Sequence, residues 1–241
     1  MTDLTPFPAS RPPCERLDGM PPGIVLSRLA GMGRMRITAS SAGVIHERIG
    51  PVDRVVRSGG TARIEGAGHA AIVDLAALST VVLDRGPPWP GAARPRLDFL
   101  DIRGERLFSA MPMGGLGRFE RTLARISRTP AHAPARSLPA RRDSLRTMTP
   151  EDSARHPFCR LCATGAKVMI TLDRIGLRQN WHGRIDGFTV TMGYLTVESP
   201  DFRLHIPAEA IARWQTGPRG LAAIGPEGRP LGLTLISASL A

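Results

Sequence analysis

The sequence repeats itself at long range, and this duplication limits the folds open to it. Segments of the first half echo segments of the second at an offset of ~130 residues, too long for a solenoid and typical of a duplicated domain. The matched pairs are 36–38 with 169–171, 43–50 with 176–183, 72–75 with 203–206, and 101–107 with 225–231. Two similar halves usually pack against each other and leave a cleft, where ligand sites are favoured.

Short strands account for most of the pattern inside each half. Met35, Ile37 and Ala39 alternate with polar residues, which is the period of a half-buried strand. The 26 glycines and 22 prolines supply many turns. With 42% hydrophobic but only 5% aromatic residues, the core must be aliphatic. We therefore expect strands rather than a helical bundle.

The same pattern divides the chain into four parts. We expect a disordered Pro-rich tail over 1–22, a first repeat over 23–128, a basic Pro/Arg-rich linker over 129–155 and a second repeat over 156–241. Helices are predicted at 24–32, 117–128 and 207–214, the last because Pro207 suits a first helical turn.

The net charge of +11 comes almost wholly from arginine, since Lys167 is the only lysine. This charge fits an anionic partner, and nucleic acid is one alternative. The use of arginine in place of lysine is equally well explained by a GC-rich genome. No helix-turn-helix, zinc-finger or aromatic-plus-basic signature supports nucleic-acid binding. No phosphate loop and no Ser-His-Asp arrangement is readable either.

The sequence predicts a cytoplasmic setting. No stretch approaches the ~20 apolar residues of a membrane helix, and residues 1–11 lack the apolar core of a signal peptide. The three cysteines, Cys14, Cys159 and Cys162, do not form a disulfide framework.

Four segments together resemble the bacterial haemin-degrading and haem-transport family, the HemS/ChuX-like haem-utilisation proteins. Residues 44–50, preceded by 36–38, are similar to the opening of a repeat in that family, and 71–75 to its next strand. Residues 97–104 resemble its Phe-Asp-x-x-Gly hairpin, and 200–214 its second repeat. The order and duplication of these pieces carry the resemblance over most of 34–128 and 165–240.

The resemblance implies an α+β fold of two pseudo-symmetric halves, each a mostly antiparallel β-sheet with a few packed helices. It also implies a cytoplasmic haem-binding protein of bacterial iron acquisition, either a carrier or a haem-degrading enzyme that uses an external reductant. The implied partners are haem and a haem uptake transporter or reductase. An exposed sheet edge would also invite pairing with a second copy of the chain. The chain departs from the family in lacking most of the helical stretch between the repeats. A degenerate relative that acts as a regulatory or protein-interaction module is therefore the alternative.

The resemblance also implies a haem ligand. His156, in the sequence His156-Pro157-Phe158, stands where two-repeat members carry a haem-ligating histidine, so it is the expected metal ligand; a solvated histidine is the alternative. Arg94, Arg96 and Arg203 are candidates for the haem propionates, because guanidinium binds carboxylate in a bidentate fashion.

Further residues of the right chemistry lie elsewhere in the chain. His46 and His205 fall within predicted strands, where packing or a hydrogen bond competes with ligation. Cys159 and Cys162 form a C-x-x-C motif three residues after His156. A zinc site there needs a fourth ligand that no second such motif supplies. The alternatives are a thiolate ligand to haem and two cysteines without a shared role.

Overall fold

The computed structural model describes residues 14–86, 95–132, 147–218 and 220–240. In these residues the strands form a 10-stranded and an 8-stranded sheet, and all the strand pairs are antiparallel. In chain order the strands are β1 Cys14–Asp18, β2 Arg34–Ser41, β3 Val44–Pro51, β4 Arg54–Ser58, β5 Thr61–Gly66, β6 His69–Asp74, β7 Thr80–Asp84, β8 Arg96–Leu100, β9 Arg106–Pro112, β10 Ser127–Pro130, β11 Lys167–Arg174, β12 Leu177–Arg184, β13 Phe188–Thr191, β14 Tyr194–Ser199, β15 Phe202–Pro207, β16 Arg213–Gly217, β17 Gly220–Ile224 and β18 Pro230–Ile236.

Helices in the described residues are few and short. The α-helices are α1 Pro22–Ser27, α2 Gly117–Leu123 and α3 Arg155–Thr164, and the 3-10 helices are Arg28–Gly31, Leu75–Ala77 and Ala238–Leu240. No helix in the described part of the chain is long and apolar enough to cross a membrane. The expected α+β fold with mostly antiparallel sheets is confirmed.

Each sheet takes strands from both halves of the chain. The first sheet has the order β10-β1-β7-β8-β9-β2-β3-β15-β14-β13, and the second has β16-β17-β18-β11-β12-β6-β5-β4. In the first sheet, seven strands of the first half are followed by three of the second half. In the second sheet, five strands of the second half are followed by three of the first half. The pseudo-symmetry lies in this exchange, so the two halves share their hydrogen-bond ladders.

The strand bounds correct one alignment drawn from the sequence. Pairing 72–75 with 203–206 is wrong by two residues, because β6 begins at His69 and β15 at Phe202, each the first residue of a six-residue strand. In this register Leu204 pairs with His46 at the β3–β15 junction, and Ala71 pairs with Gln179 at the β6–β12 junction. The two junctions are therefore equivalent.

The two halves share one hairpin turn. Gly43 connects β2 to β3 with φ of 84°, and Gly176 connects β11 to β12 with φ of 83°. This left-handed backbone favours glycine, because a side chain there would be strained. The same turn residue thus directs the same hairpin in each repeat.

A mainly aliphatic core fills the space between the sheets, although its largest fully buried side chains are five phenylalanines. Met35, Ile37 and Ala39 are buried, which confirms the alternation in β2. Ile170 and Leu172 bury the equivalent positions of β11. Each such large side chain contributes about 1.5–3 kcal/mol of burial free energy.

The N-terminal prediction needs a correction. The sequence predicts a disordered tail over 1–22, but Cys14–Asp18 forms strand β1 between β7 and β10. Cys14 and Leu17 are buried there, so the short segment gains both ladder hydrogen bonds and apolar burial. Of the predicted linker, residues 133–146 lie outside the described residues, while Met148 and Ala154 are buried.

Two predicted helices also differ. No helix forms over 207–214: Glu209 adopts a left-handed conformation with φ of 59°, and Arg213–Gly217 pairs with β17 as a strand. The helix predicted at 117–128 ends at Leu123, because Ser127–Pro130 pairs with β1. Long-range strand pairing outweighs local helical periodicity in both places.

Candidate functional site

Helix α3 carries His156 at the start of the second repeat. Its sequence places Pro157 in the first turn, where a missing N–H costs nothing, and Gly165 caps its end with φ of 60°. Phe158 and Leu161 are fully buried. His156 lies on the exposed side of the helix.

A pocket of about 380 Å³ opens beside this helix. Its walls combine an imidazole, apolar surface and two guanidinium groups. The lining residues are Ser153, His156, Pro157, Arg160, Arg213, Trp214, Leu221 and Leu240. This volume falls in the usual range for small-molecule sites. We call it the α3 pocket.

The tryptophan wall of the α3 pocket is fixed in place. The Nε1–H of Trp214 donates a 2.8 Å hydrogen bond to the carbonyl of Ser153. The Ser153 hydroxyl donates in turn to the carbonyl of Ala212 at 3.0 Å. The Phe158 ring meets Trp214 edge-on at a centroid distance of 6.4 Å. The apolar wall is therefore preformed.

In the first repeat, a leucine side chain lies at the place that corresponds to the α3 pocket. Helix α1 precedes β2 as α3 precedes β11, so Gly23 corresponds to His156. Leu75 Cδ2 lies 3.1 Å from where a Cβ on Gly23 would be, so that space is filled. The residue equivalent to Leu75 is Ala208, which is smaller. The second repeat thus has a larger residue, His156, where the first has Gly23, and a smaller one, Ala208, where the first has Leu75. This reciprocal difference is a sequence signal that would have located the pocket.

A larger cleft of about 1290 Å³ lies between the two repeats, as the duplication predicts, but the expected haem ligand His156 is not among its lining residues. Ile102 and Ile175, at hairpin turns on its rim, are 90% and 89% exposed. Arg174 Nη1 donates to the carbonyls of Ser40 and Arg106, both at 2.9 Å, and so joins the repeats.

Charges along this larger cleft balance. Its cations are Arg103, Arg106 and Arg174, and its anions are Asp101, Glu105 and Asp173. The α3 pocket has two arginines and no carboxylate among its lining residues. An anionic ligand is therefore better matched to the α3 pocket. Among the described candidates from the sequence, only His156 lines that pocket.

The other candidate histidines occupy different surroundings. His46 is fully buried between the sheets and meets the Phe202 ring edge-on at 4.9 Å. Burial and the charge of Arg48 lower its pKa from 6.5 to about 3. His205 Nδ1 lies 3.0 Å from the hydroxyl of Thr196, and burial lowers its pKa as well.

The two described candidate arginines are engaged with acidic side chains. Arg96 pairs with Asp84 at 2.7 Å and with the buried Asp98 at 3.0 Å. Arg203 pairs with Glu198. Arg94 lies outside the described residues.

Sequence reasoning missed Arg160, Arg213 and Trp214 as pocket residues. Arg160 follows His156 by four positions on α3, which places both on one helix face. The spacing alone was enough to find it. The pocket includes Arg213 and Trp214 only because β16 folds back against α3. No local sequence pattern predicts this contact. Within the described ranges, no three His, Cys, Asp or Glu side chains are grouped to hold a metal ion.

Comparison with solved structures identifies proteins of the same fold. ChuS, an Escherichia coli heme oxygenase, matches with a TM-score of 0.72 and 16% identity, over 93% of this chain and 83% of that chain. Holo-PhuS, a heme-binding protein from Pseudomonas aeruginosa, matches with a TM-score of 0.68 and 15% identity, over 93% and 81%. No protein-family model matches the sequence, and no curated protein does. The likeness at these identities is one of fold.

Proposed function

We propose that this protein binds haem in the α3 pocket, with the imidazole of His156 as the axial ligand of the iron. The observation that carries the proposal is the set of lining groups: an exposed imidazole beside a preformed apolar wall and two arginines. Haem requires these three elements, because it has an iron, an apolar macrocycle and two carboxylates. Two proteins of the same fold, ChuS and PhuS, are a heme oxygenase and a heme-binding protein.

Each lining group has a task in this proposal. Trp214, Leu221 and Leu240 pack against the macrocycle and exclude water from one face. Arg160 and Arg213 are exposed at the pocket and pair with the propionates through charge-assisted hydrogen bonds. Iron in the bound haem supplies electron-transfer and oxygen chemistry.

The proposal implies partners and a location. A haem carrier in the cytoplasm would receive haem from an uptake transporter in the membrane. Degradation would further require electrons from an external reductase. The homodimer expected from the sequence stays a prediction. These steps need the pocket to hold haem reversibly, so binding is the first property to test.

Titration of the purified protein with haemin, followed through the Soret band, tests the proposal. The wild type should give a saturable, shifted band. His156→Ala should change that band and weaken binding, whereas His182→Ala, at an exposed histidine on β12, should leave both unchanged. A saturable band that is identical in His156→Ala overturns the assignment of His156 as the ligand. The broad spectrum of free haemin in the wild type overturns haem binding altogether.

Arginine substitutions test the orientation of the ligand. Arg160→Ala and Arg213→Ala should each weaken haem binding by roughly tenfold, the loss of one charge-assisted hydrogen bond of about 1.5 kcal/mol. Arg203→Ala should have little effect, because that side chain lies on β15 and pairs with Glu198. The reverse ranking would move the propionates to the surface of the first sheet.

A further inference from the structure

The two sheets end in four edge strands, which are β10, β13, β16 and β4. An edge strand presents unpaired backbone groups to other chains, and charged residues or prolines are the usual protection against such pairing. β10 carries Arg128 and Pro130, and β16 carries Arg213. β4 carries Arg54 and Arg57. β13, with the sequence Phe-Thr-Val-Thr, has neither a charge nor a proline, so it is the unprotected edge of the described residues.

The first repeat contains a protected form of the same hairpin. Ser58 of β4 pairs with Thr61 across its turn, as Thr191 of β13 pairs with Tyr194. In this register Val190 stands one residue before Thr191, where β4 has Arg57 one residue before Ser58. An apolar side chain, 37% exposed, thus replaces the arginine that keeps the equivalent edge apart from other chains.

The turn beside β13 exposes a second apolar side chain. Met192 is exposed and adopts a left-handed conformation with φ of 48°. The first repeat has Gly59 at this place, with φ of 57°. Glycine adopts this conformation without strain, whereas the Cβ of a methionine crowds its own backbone. A strained and exposed methionine adds nothing to the core, so its contacts are to be sought in another molecule.

The turn also determines which backbone groups of β13 are free. Both of its residues, 192–193, have left-handed backbone, which makes it a two-residue turn of type I′. In such a turn the flanking residues, Thr191 and Tyr194, exchange both hydrogen bonds. Hydrogen-bonded pairs alternate along an antiparallel ladder. Phe188 and Val190 therefore direct their N–H and C=O groups away from β14, towards the free edge.

We propose that β13 pairs in antiparallel fashion with β13 of a second copy of this chain, about a two-fold axis at Val190. The axis is normal to the sheet, so Val190 lies opposite its own copy and Phe188 lies opposite Met192. This face of the junction is apolar, and methionine sulfur packs favourably on aromatic rings. On the other face Thr189 lies opposite Thr191, a pair that hydrogen-bonds across strands. The two 10-stranded sheets become one continuous sheet.

Charge favours a second copy over a different partner. The chain has a net charge of +11, so an anionic partner would be matched by arginines such as those of β4. At a two-fold axis, by contrast, each charge faces its own copy, and like charges directly opposite are destabilising. The uncharged β13 suits such an axis. Because this edge is only four residues long and small interfaces are weak, the dimer should dissociate on dilution.

Sedimentation velocity of the haem-free full-length protein, over a range of concentrations, tests the interface independently of the proposed haem function. The wild type should shift from monomer to dimer as its concentration rises. Added NaCl should strengthen the dimer, because it screens the repulsion between two cationic copies. A wild type that stays monomeric at every concentration overturns the proposal.

Substitution of Val190 tests the edge. Val190→Glu should weaken the dimer at least tenfold, because it places two carboxylates at the axis, even though it lowers the net positive charge. Ile72→Glu is the matched control and should leave the dimer unchanged. Ile72 is 40% exposed but lies on β6, between two other strands of its sheet. A dimer that survives Val190→Glu overturns the assignment of β13.

Substitution of Met192 separates the interface from the fold. Met192→Gly restores the residue type of the first repeat and relieves the left-handed strain. It should therefore weaken the dimer several-fold without lowering the thermal midpoint of the monomer. A lower midpoint with an unchanged dimer would overturn the role of Met192 in the interface.

Cross-linking tests the position of the axis. Hydrogen-bonded antiparallel pairs have Cα atoms about 5.5 Å apart, a separation that a disulfide can span. Val190→Cys, in a chain that also carries Cys159→Ser and Cys162→Ser, should link two copies under mild oxidation. Ile72→Cys in the same background should stay unlinked. Equal linking at the two positions overturns the register.

Discussion

Arg48 and Trp181 occupy the same position in the two repeats and bind the same carboxylate. Each is the fifth residue of its strand, β3 or β12. Arg48 Nη2 donates to Asp201 Oδ2 at 3.1 Å, and Trp181 Nε1 donates to Asp201 Oδ1 at 3.2 Å. Arg48 also donates through Nε to the carbonyl of Gly68 at 2.8 Å. Asp201 thus connects equivalent points of the two halves across the sheets.

Asp201→Asn should destabilise the protein by roughly 2 kcal/mol, because it removes the charge opposite the buried Arg48. The value is reduced from that of a fully buried pair since Asp201 is 39% exposed. Urea denaturation measures the change. Asp173→Asn, which removes the partner of the exposed Arg178, is the matched control and should stay within about 0.5 kcal/mol. Equal effects of the two substitutions would contradict the proposed connection.

His46 should make stability depend on pH. Its pKa falls from 6.5 in the unfolded chain to about 3 in the folded protein, through burial and the charge of Arg48. Between these values the unfolded chain binds the extra proton. The stabilisation is therefore complete above pH 6.5 and is lost as pH falls towards 3, by up to about 1.4 kcal/mol per unit. Burial lowers the pKa of His69 and His205 too, and they act in the same direction.

Substitution of His46 isolates its share. Position 46 corresponds to Gln179 in the second repeat, so His46→Gln inserts the side chain that the other half carries there. The slope of the unfolding free energy against pH, between pH 4 and 6, should decrease by up to about 1.4 kcal/mol per pH unit, which corresponds to one proton. His182→Gln, at an exposed site, should leave the slope as it is. An unchanged slope in His46→Gln would show that this histidine is not the source.

Gly183→Ala should destabilise the protein by about 1–3 kcal/mol through overpacking. A Cβ at Gly183 would collide with the Trp181 ring. That ring stacks flat on Phe202 at a centroid distance of 4.4 Å and is held by its bond to Asp201, so it cannot yield. Thermal unfolding measures the loss. Gly187→Ala, where a Cβ meets nothing within 4 Å, should change stability by far less.

Local sequence patterns predict the strands but not which strands pair with each other. Alternation identified β2, and the repeated Gly43 and Gly176 placed its hairpin and that of β11. Alternation says which face of a strand is buried, yet not which strand lies beside it. The exchange of three strands between the halves depends on pairings such as Leu204 with His46, far apart in sequence.

The α3 pocket could be predicted from the sequence only in part. The resemblance singled out His156, and the structure places it at a pocket. The sequence predicts Trp214 in a helix, because nothing in the local sequence indicates that Glu209 adopts a left-handed conformation. The wall that Trp214 provides depends on its contact with Ser153, which no short-range signal encodes.

The shared sheets predict that neither half folds alone. In a fragment covering 14–132, β3 would lose β15 from its open side, and β6 would lose β12. Unpaired edges of this kind cost backbone hydrogen bonds and expose the aliphatic core. Each fragment, 14–132 or 147–240, should therefore lack a cooperative thermal transition by circular dichroism, whereas the two mixed or co-expressed should recover one. A cooperative transition in either isolated fragment would mean that its strands can form a stable sheet without the other half.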